Sequence, residues 1–199
     1  MVRLAVLVSG GGTNLQSILD SASAGHLGSA SPVLVAADRN CGGIDRADRA
    51  GIESVVLDRR VLKRNLSTEL QSVLDAHGID MVALAGWLSI LDREFTRVWD
   101  GRIINIHPSL LPRHGGPGMY GERVHKAVLE SGDHWSGCSV HFVTEEVDGG
   151  EILGQERVKV LTEDTPETLA ARILPKEHIL YPRMIAELAA KLAKRSIDG

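Results

Sequence analysis

Short apolar, β-branched runs alternate with stretches of helical periodicity through the first half of the chain, and no other feature limits its fold so sharply. Arg3–Val8, Pro32–Ala37, Ser54–Leu57, Asp80–Ala85 and Ile103–Ile106 read as strands. Between them, Asn14–Ala24, Gly43–Ala50, Leu66–His77 and Asp92–Trp99 carry apolar residues at helical spacing. Strands that are apolar at successive positions must be buried on both faces, and strands linked through helices run parallel. The pattern therefore predicts an α/β fold with an open, doubly wound, mostly parallel sheet. The 199 residues suit a single domain, and no repeat, low-complexity tract or linker divides them.

The alternation changes after Pro112. A glycine-rich loop, Gly115-Gly116-Pro117-Gly118, precedes a helical stretch at Glu122–Glu130 and two consecutive β-like runs, Cys138–Val143 and Ile152–Val160. Asp148-Gly149-Gly150 is a turn signal between those runs, which predicts an antiparallel addition at the sheet edge. Thr165–Arg195 closes the chain as a helix opened by Thr165-Pro166-Glu167, and Pro175 and Pro182 are expected to kink or split it.

Charge and cysteine content narrow the function classes. Twenty-two Lys and Arg against 26 Asp and Glu give a net charge of −4, which argues against a general nucleic-acid or anionic-membrane binder. The uncharged run Met81–Leu91 falls well short of the ~18–20 apolar residues of a membrane span, and the apolar start at Leu4–Val8 ends too soon, at Ser9-Gly10-Gly11-Gly12, for a signal peptide. Cys41 and Cys138, far apart in a chain that needs no staple, are expected to be free thiols in a reducing, cytoplasmic setting.

Four groups carry candidate chemistry. Ser9-Gly10-Gly11-Gly12-Thr13-Asn14 lies between the first strand and first helix, where free N–H groups at a helix N-terminus make an anion site. No Lys-Ser/Thr pair follows, so it is not a P-loop. Leu15 stands where the third glycine of a dinucleotide fingerprint belongs, although Asp38 mimics a ribose-binding acid and keeps an NAD-dependent oxidoreductase as an alternative. Asn105-Ile106-His107 ends the fifth strand, where open α/β sheets place ligands. Strand alternation puts both side chains on one side, as an amide donor and an imidazole that could serve a developing oxyanion. Asp148 could raise the pKa of an imidazole or order a water, but reads equally as a hairpin turn residue. Lys176-Glu177-His178 reads as a solvated helix face, and the eight histidines include no i, i+4 pair, so no metal is expected.

Taken together and in order, these motifs resemble the phosphoribosylglycinamide formyltransferase family of folate-dependent enzymes. The resemblance is carried by Val6–Gly10 running into Gly12–Gln16, by Leu84-Ala85-Gly86-Trp87-Leu88-Ser89-Ile90-Leu91, by Asn105–Pro112, by Ser136–Val143, by Asp148-Gly149-Gly150, and by Glu177-His178 before Tyr181-Pro182. It implies a Rossmann-like formyltransferase fold, with a phosphate-binding half over about 1–106 and a folate-binding and catalytic half over about 107–199. It implies transfer of a formyl group from 10-formyltetrahydrofolate, as co-substrate, to the amine of 5'-phosphoribosylglycinamide. The protein would be a monomer or homodimer without nucleic-acid or membrane partners.

Carried over by residue, Asn105, His107 and Asp148 would be catalytic. Asn105 and His107 would stabilise a tetrahedral intermediate, while Asp148 keeps His107 protonated. Gly12, Thr13 and Asn14 would bind the substrate phosphate and Glu177 its ribose. Folate would meet Leu88, Ser89, Ile90 and Leu91, Asn105 again, and Val143, Thr144, Glu145, Glu146, Val147 and Asp148, with Lys63 and Arg64 candidates for its tail.

This chain departs from the family pattern at Ser89, where an Arg is common, and at Trp87, where Phe is usual. Its loop Arg113–Gly121 is longer and richer in glycine. A formyltetrahydrofolate hydrolase-like enzyme is the nearer alternative, and a non-catalytic module binding a phosphorylated metabolite a more distant one.

Overall fold

The computed structural model describes residues 1–198, with side chains described through residue 194. Strands β1 (Val2–Val8), β2 (Ala30–Ala37), β3 (Glu53–Val56), β4 (Met81–Leu84) and β5 (Ile103–His107) alternate with helices α1 (Thr13–Ser23), α2 (Gly42–Arg49), α3 (Arg59–Leu62), α4 (Leu66–Ala76) and α5 (Arg93–Val98). Helix α6 (Glu122–Glu130), strands β6 (Trp135–Phe142) and β7 (Ile152–Lys159) and helix α7 (Pro166–Asp198) complete the described chain. The seven strands form one sheet in the order β3-β2-β1-β4-β5-β6-β7. Pairings among β1 to β5 are parallel, and β6 and β7 add antiparallel strands at one edge, as the turn signal at Asp148-Gly149-Gly150 predicts.

The continuous apolar runs are explained by a core on each face of the sheet. In β1, Leu4, Val6 and Val8 pack with α1 and α7, whereas Ala5 and Leu7 pack with α4 and α5. The chain leaves β1 toward β2 and β3, then returns to the opposite side at β4. This reversal opens a crevice beyond the C-terminal ends of β1 and β4, where parallel sheets hold their ligands.

Two local features shape that crevice. Gly12 caps α1 in a left-handed conformation, with φ 71, and a Cβ there would lie 2.9 Å from Gly43 Cα, so both backbone angle and close approach require glycine. The Gly43 N–H donates to the Gly10 carbonyl at 3.0 Å and ties the loop to α2. Tyr181 of α7, fully buried, donates its hydroxyl to the carbonyls of Leu84 and Ile104, at 2.9 and 3.1 Å, and anchors the helix that carries Glu177 across β4 and β5.

Of the two outcomes expected at Pro175 and Pro182, a kink or a split, the split does not occur: α7 runs through both prolines as one helix. An internal proline costs about 3 kcal/mol or more in an isolated helix. Here α7 packs along α1, α6, β6 and β7, and Leu169, Ile173, Leu180, Tyr181 and Ile185 are at most 1% exposed, so tertiary burial outweighs the two lost backbone hydrogen bonds. The segment after Leu57 also carries more structure than its sequence suggested. The Asp58 carboxylate accepts from Arg60 N–H and starts α3, and Lys63–Asn65 forms a 3-10 turn.

Candidate active site

Strand alternation and antiparallel register bring four polar side chains together at the end of β5. Asn105 and His107 point to one side, and β6 pairs with β5 so that His141 lies directly opposite Asn105. The connection from β6 to β7 then turns Asp148 back toward them. Asp148 has φ 57, a conformation Asp tolerates, and a Cβ on Gly150 would fall 1.9 Å from the Phe142 carbonyl oxygen, so glycine alone permits this turn. Gly116 N–H donates to Asp148 Oδ2 at 3.0 Å. Asp148 Oδ2 lies 3.5 Å from His107 Nδ1, and its Oδ1 3.5 Å from His141 Nε2.

Hydrogen-bond partners assign the roles of the ring nitrogens. His107 Nε2 lies 2.9 Å from the His114 carbonyl, which can only accept, so Nε2 carries a proton and Nδ1 of the neutral ring presents its lone pair beside Asp148. His141 Nδ1 likewise donates to the Phe142 carbonyl at 2.8 Å, and its Nε2 faces both Asn105 Nδ2 at 3.2 Å and Asp148 Oδ1 at 3.5 Å.

Burial governs the charge states. His107 is 3% exposed, and burial lowers its pKa below the ordinary imidazole value despite opposing pulls from Asp148 and the His114 carbonyl. The carboxylate of Asp148 thus pulls toward the protonated ring, as expected, but burial is the larger of the two influences. Burial raises the pKa of Asp148, but His141, then His107 and the Gly116 N–H, together outweigh it and hold the carboxylate ionised.

These groups sit in a cleft of about 410 Å³ whose walls also include Asn14, Leu88, Ser89, Ile90, Leu91 and Glu177. Val143, Thr144, Glu145 and Val147 line it from the β6–β7 connection, while Glu146 does not. Tyr120 and the glycine-rich stretch from Gly116 to Gly121 cover another side. Lys63 and Arg64 do not line the cleft; the 3-10 turn after α3 holds both.

Glu177, read from sequence as part of a solvated face, is 7% exposed and accepts from Asn14 Nδ2 at 2.7 Å. Burial raises its pKa, against the pull of Asn14, whose own buried Oδ1 has no partner. Thr13 lines a second hollow with Arg46 and His178, and Arg46 donates to the Gly11 carbonyl at 2.7 Å, placing a cation beside the loop Gly10–Gly12.

Asp38 does not serve as a free ribose-binding acid. It is fully buried, paired to Arg39 at 2.9 Å, 3.7 Å from Arg59, and accepts from Ser89 Oγ at 2.5 Å. Burial pushes its pKa up, yet hydrogen bonds from Arg39, Ser89 and Ser9 hold it below the usual carboxylate value. Ser89, where the family pattern has an Arg, thus spends its hydroxyl on the protein interior.

Sequence reasoning missed His141 and Arg46. His141 is hidden inside a β-like run, and only its register against Asn105 would have disclosed it. Arg46 looks like any helix-surface basic residue until α2 is packed on the loop. Among the described residues, no group of three or more His, Cys, Asp or Glu is arranged to hold a metal ion, and no helix is long and apolar enough to cross a membrane.

Comparison with known proteins agrees with this architecture. Residues 2–185 match the model of the formyl transferase family. The chain is 44% identical to the chloroplastic phosphoribosylglycinamide formyltransferase of Arabidopsis thaliana, covering 99% of this chain and 68% of that one. The corresponding protein of Vigna unguiculata is also 44% identical, over 99% of this chain and 64% of the relative. Against the trifunctional purine biosynthetic protein adenosine-3 of Homo sapiens, identity is 37% over 99% of this chain, which spans 19% of that relative. The crystal structure of glycinamide ribonucleotide transformylase 1 from Symbiobacterium toebii superposes with a TM-score of 0.89 at 40% identity, covering 96% of this chain and 89% of that one. With motifs, sheet order and full-length similarity in agreement, the chain belongs to the formyl transferase family, among its phosphoribosylglycinamide formyltransferases.

Proposed function

We propose that this chain transfers the formyl group of 10-formyltetrahydrofolate to the amine of 5'-phosphoribosylglycinamide, a step of de novo purine (IMP) biosynthesis. The observation that carries the reading is the joining, in one cleft, of the Asn105–His107–His141–Asp148 cluster with Asn14 and Glu177 beside a helix N-terminus.

The substrate phosphate would be held by N–H groups of Gly12, Thr13 and Asn14, whose helix carries partial positive charge at that end, with Arg46 adding charge nearby. Glu177 would accept from ribose hydroxyls, and those added donors favour its ionised form. Folate's head would lie against Leu88, Ile90 and Leu91 and along the backbone from Val143 to Asp148, with Ser89 held inward by Asp38.

When the amine adds to the formyl carbon, negative charge gathers on the formyl oxygen, where Asn105 donates a hydrogen bond from a side chain already oriented by His141. His107 Nδ1, unprotonated at rest, takes the proton that the attacking nitrogen must lose. The imidazolium so formed lies beside the ionised Asp148 and can donate from Nδ1 to the oxyanion or pass the proton to the departing folate nitrogen. Asp148 thus stabilises a transient charge.

The first half of the chain supplies the phosphate loop and the second half most of the catalytic cluster, within a single domain. The free thiols of Cys41 and Cys138 fit a cytoplasmic setting, and the enzyme would act as a monomer or homodimer. The test is to supply both substrates and follow formation of tetrahydrofolate. Turnover that requires the glycinamide ribonucleotide supports the reading, whereas release of formate without it points to a hydrolase, and no turnover by folded protein rejects it.

A further inference from the structure

The orientation of His107 rests on a strained turn outside the cluster. Its Nε2–H donates to the His114 carbonyl, and His114 has φ 55, a left-handed conformation that costs a non-glycine residue about 1–2 kcal/mol. Next to it, a Cβ on Gly115 would come within 2.5 Å of Leu111 Cδ2 and 3.2 Å of Asp148 Cβ, so the turn is also pressed against its neighbours.

Asp133, between α6 and β6, grips this turn from behind. Its Oδ2 accepts from His114 Nε2 at 2.7 Å, and its Oδ1 from Arg113 Nη2 at 2.7 Å. Ser109 Oγ adds a bond to the Arg113 carbonyl at 2.8 Å. The Asp133 and His114 side chains are 15% and 13% exposed, and the His114 bond first, then Arg113, holds the Asp133 carboxyl below its ordinary value against some desolvation. A cavity of about 360 Å³ lined by Leu110, His114, Asp133 and Trp135 leaves room for the turn to relax if the grip is lost.

We propose that Asp133 is a positioning residue for His107, holding the His114 carbonyl where it fixes the proton on Nε2 and keeps Nδ1 free. The consequence is specific. If that carbonyl moves away, Asp148 becomes the best acceptor near the ring, the neutral tautomer shifts to Nδ1–H, and the nitrogen facing the reaction can no longer take a proton. Asp133 does not line the cleft, so substrate binding should be spared. The assignment of a catalytic task to His107 Nδ1 rests on the function proposed above, whereas the tautomer control does not.

The experiment combines kinetics with ¹⁵N NMR of the His107 ring at alkaline pH, where it is neutral. Asp133→Ala should lower kcat about 10²-fold, the scale of a small misplacement of a catalytic group, with both KM values within about twofold. Its His107 signals should move from the Nε2–H toward the Nδ1–H pattern. His114→Ala should reproduce both changes, and His114→Gln, whose amide can still donate to Asp133, should recover most of kcat. If Asp133→Ala does not fold, the two His114 variants decide by the same readings. An unchanged tautomer in a folded variant lacking the clamp, or kcat within twofold of the parent, overturns the proposal. The NMR reading requires no substrate, so an error in the assigned reaction would leave the tautomer shift standing.

Discussion

His107 Nδ1 and Asp148 Oδ2 lie 3.5 Å apart, one supplied by the end of a parallel strand and the other by the turn of an antiparallel hairpin. The separation is long for a strong hydrogen bond and short for electrostatics in a buried site. In the proposed mechanism Asp148 therefore acts on a charge that appears on the ring during reaction. His107→Ala should lower kcat by several orders of magnitude, since proton transfer is worth about 10²–10⁴ and an oxyanion donor about 10²–10³. Steady-state rates of the variant, with its fold verified by circular dichroism, measure this; near-native turnover would move the proton transfer elsewhere.

The charge state of His107 fixes the sign of the pH dependence. Burial lowers its pKa below the ordinary imidazole value, and the proposed mechanism needs the unprotonated ring. Activity should therefore be full at neutral pH and fall on the acid side, with the His107 limb of kcat/KM centred below the ordinary imidazole value. Asp148→Asn removes a charge that favours the imidazolium, so that limb should move to still lower pH while kcat falls. A limb that moves to higher pH in this variant would contradict the account.

Much of this arrangement was legible in the sequence because local rules and global fold agree. Five alternating runs with apolar residues on both strand faces permit little besides a doubly wound sheet, and the period of two placed Asn105 and His107 on one side without any coordinates. Asp148-Gly149-Gly150 announced a turn. What the turn does with Asp148 depends on the 1.9 Å approach of a Gly150 Cβ position to Phe142, a fact of packing that no local pattern encodes. His141 was illegible for a related reason: strand register, set by pairing over the whole edge, decides that it meets Asn105. Glu177 looked solvated because its neighbours Lys176 and His178 are polar, while α7 crosses the sheet at the angle that buries this one carboxylate against Asn14.

That buried contact carries a binding prediction. Glu177 and Asn14 satisfy each other across the cleft, with one Asn14 oxygen still unpartnered. Glu177→Gln keeps the shape but loses the charge that ribose hydroxyls would meet, and a hydrogen bond to a charged group is worth about 1.5–3 kcal/mol. KM for the ribonucleotide should rise roughly 10- to 100-fold, with KM for the folate little changed. A variant that raises both equally would place Glu177 in general cleft stability instead.

The network around Asp38 supports a stability prediction that is independent of catalysis. Asp38 is fully buried, held by Arg39 and Ser89, and has a pKa below the unfolded value of 3.8. A carboxylate whose folded pKa is depressed contributes stability that is present above its unfolded pKa and is lost as pH falls through the folded one. Asp38→Asn should thus destabilise the protein at neutral pH by about 1–3 kcal/mol, a range reduced for the solvent screening of the partly exposed Arg39. Urea unfolding should show the gap between parent and variant narrowing as pH drops below 3.8, because the parent then loses the charge that the variant never had. Ser89→Ala should shift the same transition more weakly, since it removes one donor and leaves the ion pair with Arg39 in place. A gap that stays constant down to acid pH would mean that Asp38 stabilises the fold through packing, not through its charge.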